Sequence, residues 1–116
     1  MLKSKAVVFF AALAMSGIAA AGNSSGAITR LYVHSPNSTY GATNGVVMFS
    51  AGSIVGTPCS SQTEWAFSLS TETGKAMYAA LLNAADKKRP VKVVGTGNCT
   101  AWSDRETPYY IYIDYP

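Results

Sequence analysis

The chain has 116 residues, with nine Lys and Arg against six Asp and Glu and a formal net charge of +3. Two of the basic residues, Lys3 and Lys5, precede the apolar run Ala6 to Ala19, which is too short to span a bilayer comfortably. With the small residues Ala19 to Ala21 behind it, this pattern predicts a secretory signal peptide, residues 1–21, cut between Ala21 and Gly22.

An uncleaved anchor fits a run this short less well. Removing 21 of the 116 residues leaves 95, enough for one small domain over residues 22–116 and too few for two. Seven basic residues then face six acidic ones, a net charge of +1, which is low for a protein held to nucleic acid by phosphate contacts. No second apolar run is present, so the expected protein is secreted or periplasmic, with no membrane span.

"AITRLYVH", Ala27 to His34, reads as a first strand, with Leu31 and Val33 opposite Arg30 and Tyr32. "SPNSTYGATNG", Ser35 to Gly45, is dense in turn formers and reads as an exposed loop. "VVMFSA", Val46 to Ala51, is the second strand, and a loop from Gly52 to Thr63 leads to a third, Glu64 to Ser70, with Trp65, Phe67 and Leu69 on one face. The period then changes from two to about 3.6. Ser70 to Lys88 predicts a helix with Ser and Thr caps at its start, Glu72 in its first turn and a stripe of Met77, Ala80, Leu81 and Ala84. "KKR", Lys87 to Arg89, reads as a solvated helix end before Pro90. "PVKVVG" is the fourth strand, and "YYIYIDY", Tyr109 to Tyr115, the fifth. Three strands, a helix and two strands is the element order of the OB-fold, so the expected class is mainly β with one helix, a five-stranded barrel. A different small α+β sandwich is the alternative.

The cysteines are Cys59 and Cys99. In an oxidising compartment such a pair forms a disulfide, contributing about 4 kcal/mol for a loop of this length in the chain-entropy model. With His34 as the single histidine, neither a metal set nor a cofactor is expected.

"VKVVGTGNCTAW", Val91 to Trp102, starts like a phosphate-binding loop, but its glycines lead to Cys99, Trp102 and a strand rather than to a helix N-terminus. Gly95 and Gly97 read instead as the bend of a barrel strand. Catalysis is not expected. His34 has no nucleophile arrangement around it, "AGSIVG" is not a nucleophile elbow, which needs glycine two before and two after the serine and has Val55 here, and Asp104 and Glu106 read as solvated loop charges.

Aromatic surface remains. If Ile111 and Ile113 face the core, then Tyr110, Tyr112 and Asp114 face outward, which suits a subunit interface or a sugar platform. Trp102, on a loop, is a candidate ligand contact.

Two local stretches, "SSGAITRLYV" (Ser24 to Val33) and "TGKAMYAALLNAADKKRPVKV" (Thr73 to Val93), resemble the B subunits of bacterial A-B toxins of the subtilase-cytotoxin and typhoid-toxin kind. The resemblance implies an OB-fold, a homo-oligomeric ring of five with the helix toward the axis, a toxic A subunit as partner, and binding of sialylated glycans. It also implies a sugar contact at Ser24, the serine that leads the first strand. The second cysteine, the "VGTGNC" loop and the short C-terminus look more like small secreted bacterial proteins of unknown role sharing the barrel. Two functions stay open: a glycan-binding module, and a structural or accessory envelope protein that binds another protein through the same barrel.

Overall fold

The computed structural model describes residues 20–115. The expected signal peptide lies outside the described residues except for Ala20 and Ala21. The elements run β1 (Asn23–His34), a single 3-10 turn (Ser38–Tyr40), β2 (Val46–Ala51), β3 (Trp65–Ser68), α1 (Glu72–Asp86), β4 (Pro90–Gly95) and β5 (Pro108–Tyr112). The strands form one antiparallel sheet in the order β3-β2-β1-β4-β5.

β1 is shared between two halves of the sheet. Asn23 to Ala27 pair with β4, and Ile28 to His34 pair with β2, with a register shift between Ile28 and Arg30 where the partner changes. Such an irregularity increases the local bend, so β1 carries the sheet around the core instead of across it. The strand begins four residues before the expected Ala27. Its first residues, Asn23 to Gly26, have no strand propensity of their own, and pairing with Val91 to Val94 supplies it. The sheet is not closed by a ladder. Among the described residues its two edges meet through one parallel bridge, Trp65 to Glu106, in which Ala66 N–H donates to the Glu106 carbonyl at 3.1 Å.

The core sits inside this bend. Val47, Phe49 and Ala51 of β2 meet Trp65 and Phe67 of β3, Val91 and Val93 of β4, and Met77, Leu81 and Ala84 of α1. The opposite side of β2 is also buried: Val46 and Met48 form a second cluster with Ala42, Ala66 and Trp102. A strand buried on both faces reads as an unbroken apolar run, which is what "VVMF" is. Tyr32 packs against this second cluster, whereas Val33, expected on the inner face, is exposed near the strand end. Ile111 and Ile113 pack against the main core, as the alternation predicted.

α1 starts where its chemistry says it should. The Thr71 hydroxyl accepts from the Gly74 N–H at 2.9 Å, and Met77, Leu81 and Ala84 repeat at helical spacing on the buried side. Ala80 is only half-buried. Lys87 and Lys88 are exposed beyond the last turn, as expected of a solvated end. No helix among the described residues is long and apolar enough to cross a membrane.

Cys59 and Cys99 form the expected disulfide, with Cα atoms 6.0 Å apart. It ties the β2–β3 connection to the β4–β5 connection, which also meet where Ser61 N–H donates to the Asp104 carbonyl at 2.8 Å.

Lys88 adopts a left-handed φ of 56° just past the helix, a position that glycine usually fills. The side chain there costs about 1 kcal/mol. Lys88→Gly should raise the unfolding free energy by about that amount and the melting temperature by about 4–8 °C; no gain on thermal melting would show that the helix end is not strained.

Candidate functional site

Two of the three long connections that the sequence marks as loops, residues 35–45 and 96–107, lean on each other. The turn formers of "SPNSTYG" build a compact hook. Asn37 accepts from the Thr39 N–H at 3.0 Å and caps the 3-10 turn, Gly41 closes it at φ 75°, and the backbones of Asn37 and Ala42 bridge its base. The hook presents Tyr40, whose ring stacks on Trp102 with centroids 4.8 Å apart and planes 9° from parallel. The Ser103 N–H donates to the Tyr40 carbonyl at 3.0 Å, and His34 approaches Trp102 at 4.7 Å.

Trp102 therefore does not offer a free stacking face. It is 5 % exposed, seated on the second core cluster and covered by Tyr40, which is 38 % exposed. The residue that covers Trp102 lies on the other connection, so the pattern of this loop alone does not disclose the pairing.

Beside this pair runs a polar network. Glu64 is buried; its Oε1 accepts from the Tyr32 hydroxyl and from Arg105 Nε, each at 2.8 Å, and its Oε2 faces the exposed Arg30 guanidinium at 3.6 Å. Arg105 also pairs with Asp104, so two guanidinium groups face two carboxylates and their charges balance. Burial opposes the Arg105 charge, but the hydrogen bonds to Glu64 and then Asp104 more than offset it and hold the guanidinium above its ordinary range. Burial, then the hydrogen bond to Glu64 and its negative charge, likewise hold the Tyr32 phenol above its ordinary value of 10.0. His34 Nδ1 lies 2.7 Å from the Ser35 carbonyl, which can only accept. Nδ1 thus carries the proton, and in the neutral ring Nε2 is left as an acceptor.

Tyr32, His34, Asn37, Tyr40, Trp102 and Arg105 line an open hollow of about 360 Å³ at this junction. Apart from Trp102, none of these was singled out as a ligand contact from the sequence. Tyr32 and Glu64 are 32 positions apart, and Glu64 and Arg105 are 41 apart, so spacing along the chain carries no signal for the network.

Ser24 is elsewhere. It is 6 % exposed, and its Oγ accepts from the Trp65 indole N–H at 3.0 Å. Together with Tyr112 it lines a different hollow, so the structure does not bring Ser24 and Trp102 to one site. Tyr110 and Tyr112 face outward as expected, each 46 % exposed, with centroids 6.3 Å apart; Tyr109 extends the row.

The two loop carboxylates differ: Asp104 keeps solvent contact, and Glu106 does not. Asp104 is half-buried beside Arg105, and Glu106 is 0 % exposed. Its carboxylate accepts from the Gly22 N–H at 3.1 and 3.0 Å and from the Gly97 N–H at 2.8 Å. Gly95 lies so close that a Cβ there would stand 2.0 Å from Glu106 Oε2. The glycine loop does cradle an anion, and that anion is the chain's own side chain.

A phenol held above its ordinary value in the folded state contributes stability that is complete below about pH 10 and lost as pH rises through the folded value. Ultraviolet titration of the seven tyrosines should show one ionising after the bulk, and Tyr32→Phe should remove that late component. Ionisation of all seven together would contradict the buried Tyr32–Glu64 bond.

Compared with known proteins, the chain matches no family model, no curated protein and no solved structure.

Proposed function

We propose that this is a secreted, non-enzymatic binding module that recognises a glycan in the hollow at the junction of the two long connections. The observation that carries the reading is Tyr40, an exposed ring locked flat on Trp102 and flanked by the polar atoms of Tyr32, His34 and Arg105. A sugar ring needs such a flat apolar surface beside fixed donors and acceptors.

A barrel of the OB class supports the same reading. The shared β1, the helix between β3 and β4, and the single parallel bridge between the sheet edges all fit it. In that class, ligands commonly lie against the connections between strands one and two and between strands four and five. The toxin B-subunit resemblance adds a homo-oligomeric ring, to which the tyrosines of β5 offer an interface, and a toxic A subunit as partner.

The balanced charges refine the ligand. A sialic acid carboxylate calls for an unpaired cation, whereas Arg105 is held by Glu64 and Asp104. A neutral or amide-bearing sugar suits the hollow better than an acidic one. The second reading, an accessory envelope protein that binds another protein, is favoured by the exposed row Tyr109, Tyr110 and Tyr112 on an edge strand.

A glycan array on the exported protein, with its mass measured in solution, should give selective binding to neutral glycans by an oligomer. Tyr40→Ala should weaken that binding about two- to tenfold, while Tyr40→Phe keeps it. If no glycan is bound, the accessory reading takes over; if Tyr40→Ala binds unchanged, the site lies elsewhere.

A further inference from the structure

Glu106 is a fully buried carboxylate, and among the described residues no Lys, Arg or His lies within ion-pair distance of it. A buried charge without a counter-charge is costly even when backbone N–H groups bond it. Gly22 shares its single amide hydrogen between both carboxylate oxygens, at 3.1 and 3.0 Å. Gly22 is itself buried and fixed in place, since its carbonyl accepts from the Gly95 N–H at 2.8 Å and Asn23 exchanges two backbone hydrogen bonds with Val55. Ala20 and Ala21, immediately before it, are exposed. The chain therefore passes from solvent to interior at the Ala21–Gly22 bond, which is also where the sequence predicts cleavage.

We infer that Glu106 is the binding site for the new N-terminus of the exported protein, and that cleavage at Ala21–Gly22 supplies its missing counter-ion. Hydrolysis by an export-linked signal peptidase adds one water across the amide. The C–N bond breaks, the hydroxyl goes to the Ala21 carbonyl carbon, and a proton goes to the Gly22 nitrogen. The Ala21 acid then gives up its proton and the Gly22 amine takes one, leaving a carboxylate on the discarded leader and an ammonium on Gly22. An α-amino group is cationic near neutral pH. It has three hydrogens where the amide had one, enough to give each Glu106 oxygen its own bond. The residue here must be small, because a Cβ on Gly22 would stand 2.5 Å from Glu106 Oε1 and 2.8 Å from Ile54 Cγ2. The uncleaved precursor keeps an uncompensated carboxylate in its interior, so processing completes the fold. This inference is independent of what the outer surface binds, and rests on the expected cut at Ala21–Gly22.

The test starts from the exported protein. Its intact mass should correspond to a chain beginning at Gly22. In the native state, isotopic reductive methylation should label its α-amine at least about tenfold more slowly than in denaturant, as expected of an ammonium held by a buried pair. Glu106→Gln should restore fast labelling. A chain produced with Ala21 as its first residue should label fast and melt about 10 °C or more lower. If Glu106→Gln does not fold, the parent and the chain beginning at Ala21 still decide. A mass that begins at any other residue, or an α-amine that labels equally fast in native and denatured protein, overturns the inference.

Discussion

A single buried carboxylate organises the part of this fold that has the fewest other constraints. Glu106 reaches three places at once. Its side chain takes the N–H groups of Gly22, at the head of β1, and of Gly97, just past β4, while its backbone makes the bridge to Trp65 at the free edge of the sheet. A carboxylate that accepts several backbone N–H bonds in a dry site is held strongly, and its loss strands every donor it served. The surrounding glycines have their reason here. Gly22 and Gly95 leave room for the oxygens, and Gly97 turns at φ 85° to aim its N–H inward. A motif that looks like a nucleotide loop serves here as an internal anion hole, because the chain leaves it into the β4–β5 connection, which returns Glu106 to it, and not into a helix.

The rest of the scaffold is built on β2, which is dry on both faces. One face belongs to the core under α1, and the other to the small cluster capped by Trp102. That second cluster is what brings the candidate site together. It gives the β4–β5 connection an apolar floor, so that Trp102, Tyr40 and the Glu64 network are held in place on connections that would otherwise be mobile. The disulfide restrains the same connection from its other end.

Much of this is legible in the chain. The apolar run Val46 to Ala51 marks its strand to the residue, and the Thr71 cap and the Met77–Leu81–Ala84 stripe mark the helix. The even cysteine pair marks the bridge. What cannot be read locally is anything fixed by a partner far along the chain. Asn23 to Gly26 carry no strand alternation of their own until β4 pairs with them. Glu106 looks solvated beside Asp104 and Arg105, because its true partners are backbone N–H groups, which carry no residue signature; the one available hint is the Gly95-Thr96-Gly97 stretch shortly before it. Trp102 looks exposed because a lone aromatic in a polar loop gives no sign of what will cover it. Tyr40, the ring that does cover it, sits in a stretch whose composition predicts only a turn.

The central claim is that Glu106 pins the β4–β5 connection to the head of β1, and the Gly97 amide reports on it directly. Native-state hydrogen exchange measured by NMR should show the Gly97 N–H protected by about a thousandfold or more, comparable with strand amides although it lies in a loop. In Glu106→Gln that protection should collapse while the β2 amides remain slow. A Gly97 amide that exchanges in the parent as fast as the exposed loop amides would contradict the account.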